Sequence, residues 1–237
     1  MIVCEKMDLT SVESVFSPVS SQFVTFCDVC QEGQAELTVF DCWSALHRST
    51  ELGWLDFSDE PSENSIDMQE HLHYAGVANG ELHVVVPDKL LAFRTPTDLP
   101  DGRAWMDDSG TRRFSPSYYA DILSDFDVSV VLCCCGGTGS GSVLPYDASA
   151  LEASGMGVEV ISGGVQSGLL LAATDRVLTL ARAAPGAIAL HGAGAWEEGL
   201  LLSAYLIRLH GFTARQAIAW ARMAHPAAHS ALGFRVA

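Results

Sequence analysis

Apolar residues fall into two regimes along the second half of the chain. The run VSVVLCCC (128–135) reads as a strand buried on both faces, and the shorter runs GVEVI (157–161) and AIALHG (187–192) read as further strands. Between and after them, SGLLLAATDRVLTLARA, EEGLLLSAYLIRL and ARQAIAWARMA space their apolar positions as helices do. Thr213 is placed to cap the last of these, and Pro226 ends it. Upstream, ELHVVVPDKLLAF offers two short strands split by Pro87. Strands alternating with helices predict an α/β domain built on a central, mostly parallel sheet flanked by helices.

The first part of the chain follows neither regime for long. Residues 1–33 hold no sustained period and predict little regular structure. From Gln34 to about Leu52, the spacing of Leu37, Phe40, Trp43 and Leu46 draws one apolar stripe along a helix that Gly53 can stop. Residues 56–70 (DFSDEPSENSIDMQE) carry six acidic side chains and no basic one, which marks a solvated linker or domain boundary.

Charge narrows the partners. A net charge of −16, from 29 acidic against 13 basic side chains, disfavours nucleic acid and anionic membrane surfaces and suits basic protein surfaces. The opening MIVCEKMDLT lacks the pattern of a secretory leader, and no apolar run approaches the ~18 residues of a membrane span, so a soluble, intracellular, cytoplasmic protein is expected. Seven cysteines, with Cys133, Cys134 and Cys135 contiguous, do not make a disulfide framework and read as reduced thiols. Cys27 and Cys30 form a single CxxC with no second ligand pair, so neither a metal nor any other cofactor is expected.

The turn from AIALHG into the next helix, HGAGAWEEG (191–199), is where the chemistry concentrates. A strand-to-helix turn in an α/β sheet presents backbone N–H groups to anions. Strand, His, short Gly/Ala loop and apolar helix resemble the way cysteine-dependent phosphatases hold their HCxxGxxR signature. The flanking stretches 76–93, 146–161, 185–199 and 212–226 are similar to the catalytic domain of the cell-division-cycle fourteen dual-specificity phosphatases, and 40–57 is similar to that family's interdomain helix. The resemblance implies a phosphatase-like domain over 76–237, an acidic linker over 58–75, and, over 1–57, the remnant of a preceding phosphatase-like domain with its interdomain helix.

Mapped onto that family, His191 matches, Gly192 stands where the nucleophilic cysteine belongs, and Glu198 stands where the phosphate-binding arginine belongs. The general-acid aspartate is expected just after GVEVI, where this chain has Ser162. Glycine supplies no thiolate to attack phosphorus, and a carboxylate in the arginine's place repels a phosphate. At about 4 Å and an effective dielectric near 20, two like unit charges repel by roughly 4 kcal/mol. Glu197 adds a second carboxylate, and Trp196 is placed to fill an emptied pocket. The expectation is a pseudophosphatase without catalytic residues, serving as a scaffold in a multi-protein assembly, with Leu37, Phe40 and Trp43 as its partner surface. The family's association with centrosomes, basal bodies and cilia points to a cytoskeletal or ciliary setting.

Two other readings stay open. The glycine-rich CGGTGSGS (135–142) resembles nucleotide phosphate loops, and residues 136–142 are the alternative site, although Pro145 and the lack of a lysine argue against it. Residual phosphatase activity would need a substitute nucleophile from Cys133 to Cys135.

Overall fold

A computed structural model of the chain describes residues 2, 4–5, 7–25, 37–58, 60–108, 110–134, 144–161, 169–192 and 195–226, with the backbone alone at 169–170 and 195–197. The N-terminal third is more ordered than its pattern suggests. Helix α1 (Leu9–Phe16) starts where the Asp8 side chain accepts a hydrogen bond from the Ser11 N–H, and a 3-10 helix (Ser17–Gln22) continues it. This corrects the expectation of little regular structure over 1–33. The period was too short to read, but a cap and one apolar face suffice once a second helix lies beneath.

That second helix is α2 (Val39–Glu51), whose start is fixed by a capping box between Thr38 and Asp41 rather than lying near Gln34. Residues 58–64 form an exposed loop, as the acidic composition suggests, with Asp59 outside the described residues. The following segment is structured: Ile66 is buried, donates its backbone N–H to the Trp54 carbonyl, and leads into α3 (Met68–Tyr74), capped by Asp67.

Strands β1 (His83–Val86) and β2 (Leu90–Ala92) pair antiparallel, the two runs expected around Pro87. A separate exposed hairpin, β3 (Trp105–Asp108) with β4 (Thr111–Phe114), leads into α4 (Pro116–Asp125), capped by Ser115. Then come β5 (Val128–Cys134), the short α5 (Ser149–Ala153), β6 (Gly157–Val160) and α6 (Leu169–Ala183). Strand β7 (Ala187–Gly192), α7 (Ala195–His210) and α8 (Ala214–Ala224) finish the described chain. Thr213 caps α8 through a reciprocal capping box with Gln216.

The main sheet runs β1-β2-β7-β5-β6, parallel everywhere except at β1–β2. The fold is therefore α/β with a mixed, mostly parallel sheet flanked by helices. β7 is central and its first five residues are buried, so Ile188 and Leu190 are core anchors; truncating either to Ala would cost about 2–5 kcal/mol. Glycine is required at the entry to β7: a Cβ on Gly186 would lie 2.1 Å from the Asp127 carbonyl oxygen.

Helix α2 packs on α8, α8 on α7, and α7 on α6. Arg215 pairs with Asp41, Gln216 Nε2 donates to Ser44 Oγ, and Arg48 donates twice to the His210 carbonyl at the end of α7. Trp54 stacks on Phe212 and meets Trp220, whose indole N–H donates to the Val85 carbonyl. Residues 38–57 are thus fastened to the sheet domain.

The proposed partner stripe is largely covered by the chain itself, a correction to its reading as one open face. Leu37 is buried in the core. Phe40 packs on Phe23, and Trp43 packs on Phe16, Phe23 and Phe40. The cover is the N-terminal segment, whose own pattern was too weak to announce it.

Candidate active site

The parallel register of β5 and β7 sets Cys133 beside His191 and Cys134 beside Gly192. These strand ends lead into the two loops that carry the sequence's candidate chemistry. Residues 136–142 lie outside the described residues, as do Cys135, Ser162, Cys27, Cys30 and the side chains of Trp196 and Glu197. After the glycine-rich stretch the chain bends through Pro145 and Tyr146, and the next helix, α5, starts only at Ser149. A phosphate loop needs a helix directly behind it.

His191 is fully buried. Its Nε2 lies 2.8 Å from the Tyr146 hydroxyl, and its ring meets Phe93 edge-on. Burial pushes the imidazole down from 6.5 to about 3, so it is neutral at physiological pH. Burial also raises the Tyr146 phenol well above its ordinary value. The pair is a buried contact.

Gly192 is half-buried and crowded on the side of β5. A Cβ there would lie 2.8 Å from the Cys134 carbonyl oxygen and 3.1 Å from the Cys134 Cβ, closer than a side chain can approach backbone. Its own carbonyl accepts from Thr95 Oγ1 at 2.9 Å. The neighbouring strand therefore occupies the space a nucleophilic side chain at this position would need first.

Glu198 is 4% exposed, on the first turns of α7. Its Oε2 is 3.8 Å from His225 Nε2, and its Oε1 has no hydrogen-bond partner among the described residues. Burial raises its carboxyl above the ordinary glutamate value, and His225 opposes that shift. The His225 ring lies 4.4 Å from that of His83, and His83 lies 6.1 Å from His71 on α3. Burial, then the neighbouring His225 and His71, push His83 down to about 3, against a backbone hydrogen bond at Ala224. Glu198 is thus directed into a buried histidine cluster between α7, the end of α8 and β1.

Sequence reasoning found His191, Gly192 and Glu198 but missed Tyr146, His83 and His225. Their only signal was being polar residues inside apolar stretches. Cys133, read as a reduced thiol, is buried and disulfide-bonded, and its partner lies outside the described residues. The disulfide ties up its sulfur, so it is no free thiolate. Among the described residues, no group of three or more His, Cys, Asp or Glu is arranged to hold a metal ion, and no helix is long and apolar enough to cross a membrane.

No protein-family model matches the chain. Among curated proteins it is similar to the human dual specificity protein phosphatase CDC14C, with 28% identity over 191 residues, spanning 80% of this chain and 39% of that protein. Against CDC14AB of Danio rerio the identity is 28% over 194 residues, 80% of this chain and 28% of the relative. Against the tyrosine-protein phosphatase cdc-14 of Caenorhabditis elegans it is 26% over 225 residues, 91% and 29%. The chain thus spans between 28% and 39% of the length of these relatives. Among solved structures it is similar to Tk-PTP in its active form, with a TM-score of 0.45 and 16% identity over 64% of this chain and 89% of that one. A tyrosine phosphatase from Leishmania major gives a TM-score of 0.41 and 20% identity over 62% and 87%. The chain is related to the CDC14 dual-specificity phosphatases over four-fifths of its length.

Proposed function

We propose that this phosphatase-fold protein performs no phosphoryl transfer and serves as a structural subunit that holds other proteins in a larger assembly. The observation that carries the reading is at Gly192: the residue lacks a nucleophile, and a Cβ there would lie 2.8 Å from the Cys134 carbonyl oxygen. The relatives named as phosphatases would attack a phosphate monoester through a cysteine thiolate and clamp it with an arginine. Here the arginine's place is taken by Glu198, buried beside His225. The missing nucleophile is not supplied by Cys133, whose sulfur is held in a disulfide. The family's link to centrosomes, basal bodies and cilia directs the search for the assembly toward cytoskeletal and ciliary structures.

The test uses the full chain with p-nitrophenyl phosphate, alongside calorimetric titration with inorganic phosphate. No turnover above the protein-free blank and no saturable heat are expected. Turnover proportional to protein concentration that survives repurification would overturn the reading.

A further inference from the structure

We propose that the outer face of α1 and α2 is a docking groove for a basic amphipathic helix of another protein. The inference rests on the reading of the chain as a partner-holding subunit and adds the place and the partner's chemistry. Val12, Phe16, Trp43, Leu46 and Phe57, with Ile2 at one end, line an apolar depression of about 400 Å³. Ile2 is shared with a second depression of about 250 Å³ bounded by Glu51 and Asp56. Asp56 and Phe57 in turn border a third of about 580 Å³ that contains Glu63 and Asp67. The three adjoin along shared lining residues, apolar at the Trp43 end and acidic toward Glu51, Asp56, Glu63 and Asp67, a layout that suits an extended occupant with a large apolar anchor at one end and charge at the other.

Charge selects that occupant. The first 67 residues hold thirteen acidic side chains against Lys6 and Arg48, so most of the chain's net −16 lies in this segment. The Arg48 guanidinium is engaged with the His210 carbonyl and Glu51. Beside the apolar slot, Glu5 and Asp8 are exposed. Phe57 (51% exposed), which lines the slot, and Val15 (56%) on α1 leave apolar surface open. An anionic lipid surface or a nucleic acid would be repelled. A second copy meeting this one through the same face would set acid against acid. A helix with one apolar face and flanking Lys or Arg satisfies both parts of the groove.

The probe is a fluorescein-labelled helical peptide of about 18 residues, long enough to be helical on binding, with Leu and one photo-crosslinking residue on one face and Lys on the other. A control peptide keeps the apolar face and carries Glu in place of Lys. Anisotropy titration of the full chain is expected to saturate with the Lys peptide and to be at least tenfold weaker with the Glu peptide. Phe57→Ala, whose side chain is half exposed, should weaken binding at least fivefold with an unchanged circular dichroism melt. Glu51→Lys combined with Glu63→Lys should weaken it further, and cross-links should map to peptides containing Phe16, Trp43 or Phe57. Equal binding by wild type and Phe57→Ala, or cross-links elsewhere, overturns the groove. So does a dimer in sedimentation that Phe57→Ala dissociates, which would give the face to a second copy. Running p-nitrophenyl phosphate on the same samples keeps the two readings separate: loss of peptide binding without hydrolysis sinks only the groove, and hydrolysis sinks the non-catalytic reading.

Discussion

Two regions of this molecule carry polar groups beside apolar ones, and they treat them in opposite ways. At the ends of β5 and β7 and the start of α7, His191 and Glu198 are buried and Gly192 is half-buried: strand Cys134 stands beside Gly192, Tyr146 meets His191, and Glu198 faces His225. On the outer face of α1 and α2, Trp43, Leu46 and Phe57 leave a trough open, with carboxylates on its rim. In related phosphatases the first region must admit a dianion. Here His191 and Glu198 are buried, whereas Glu51, Glu63 and Asp67 around the trough are exposed.

Acid lability is the largest effect that separates the two regions. Burial holds His83 and His191 near 3 in the folded chain, against 6.5 when unfolded. Their contribution is present above pH 6.5 and is lost as pH falls toward 3, because the unfolded chain takes up protons that the folded one refuses. Glu198 runs the other way: its folded value lies above 4.5, so its contribution is present below pH 4.5 and is lost as pH rises. Two imidazoles outweigh one carboxyl. Urea unfolding is expected to show about 2 kcal/mol less stability at pH 5 than at pH 6.5, at about 1.4 kcal/mol per pH unit per net proton. His83→Phe should flatten that slope by one proton, and a flat wild-type profile would contradict the burial of these histidines.

The next effect is steric. Gly192→Cys is expected to cost about 2 kcal/mol by forcing the strand at Cys134 aside. Combined with Glu198→Arg it should still give no p-nitrophenyl phosphate hydrolysis, because the added thiol would be crowded against the Cys134 backbone. A folded, active double variant would show that the site is merely unoccupied chemistry on an intact frame.

Smaller still, Glu198→Gln should stabilise the protein by about 1 kcal/mol at pH 7, since an amide need not be kept uncharged in a buried site. The gain should fade as pH falls below 4.5, where the glutamate becomes protonated in both states. Loss of stability at pH 7 would instead mean that an ionised Glu198 is held favourably in its site. At the open surface, Phe57→Ala should move the unfolding midpoint least of all, within about 0.5 kcal/mol.

Much of the fold was legible because it depends on local pattern. The buried strand VSVVLCCC, the strands around Pro87, the capped helix after Thr213 and the apolar body of α7 all emerge from periodicity and end signals. The hairpin β3–β4 escaped, since WMDD and TRRF are short and polar and are held by mutual pairing on the surface. Helix α1 escaped because its apolar face makes sense only against Trp43. At the candidate site, the absence of a thiol at Gly192 and of a cation at Glu198 could be read directly from residue types.

The chain's sequence by itself determined the alternation of strands and helices, the acidic character of the N-terminal third, and the absence of a nucleophile and arginine from the loop after β7. Only the tertiary structure decided that Gly192 faces the Cys134 backbone, that Glu198 is buried with histidines from β1 and the end of α8, and that Phe16 and Phe23 cover one side of Trp43 while another stays open. The physical reason is range. Helical period, strand period and caps act over a few residues, whereas burial, pKa displacement and groove shape arise from contacts between residues tens to more than a hundred positions apart, such as His83 with His225.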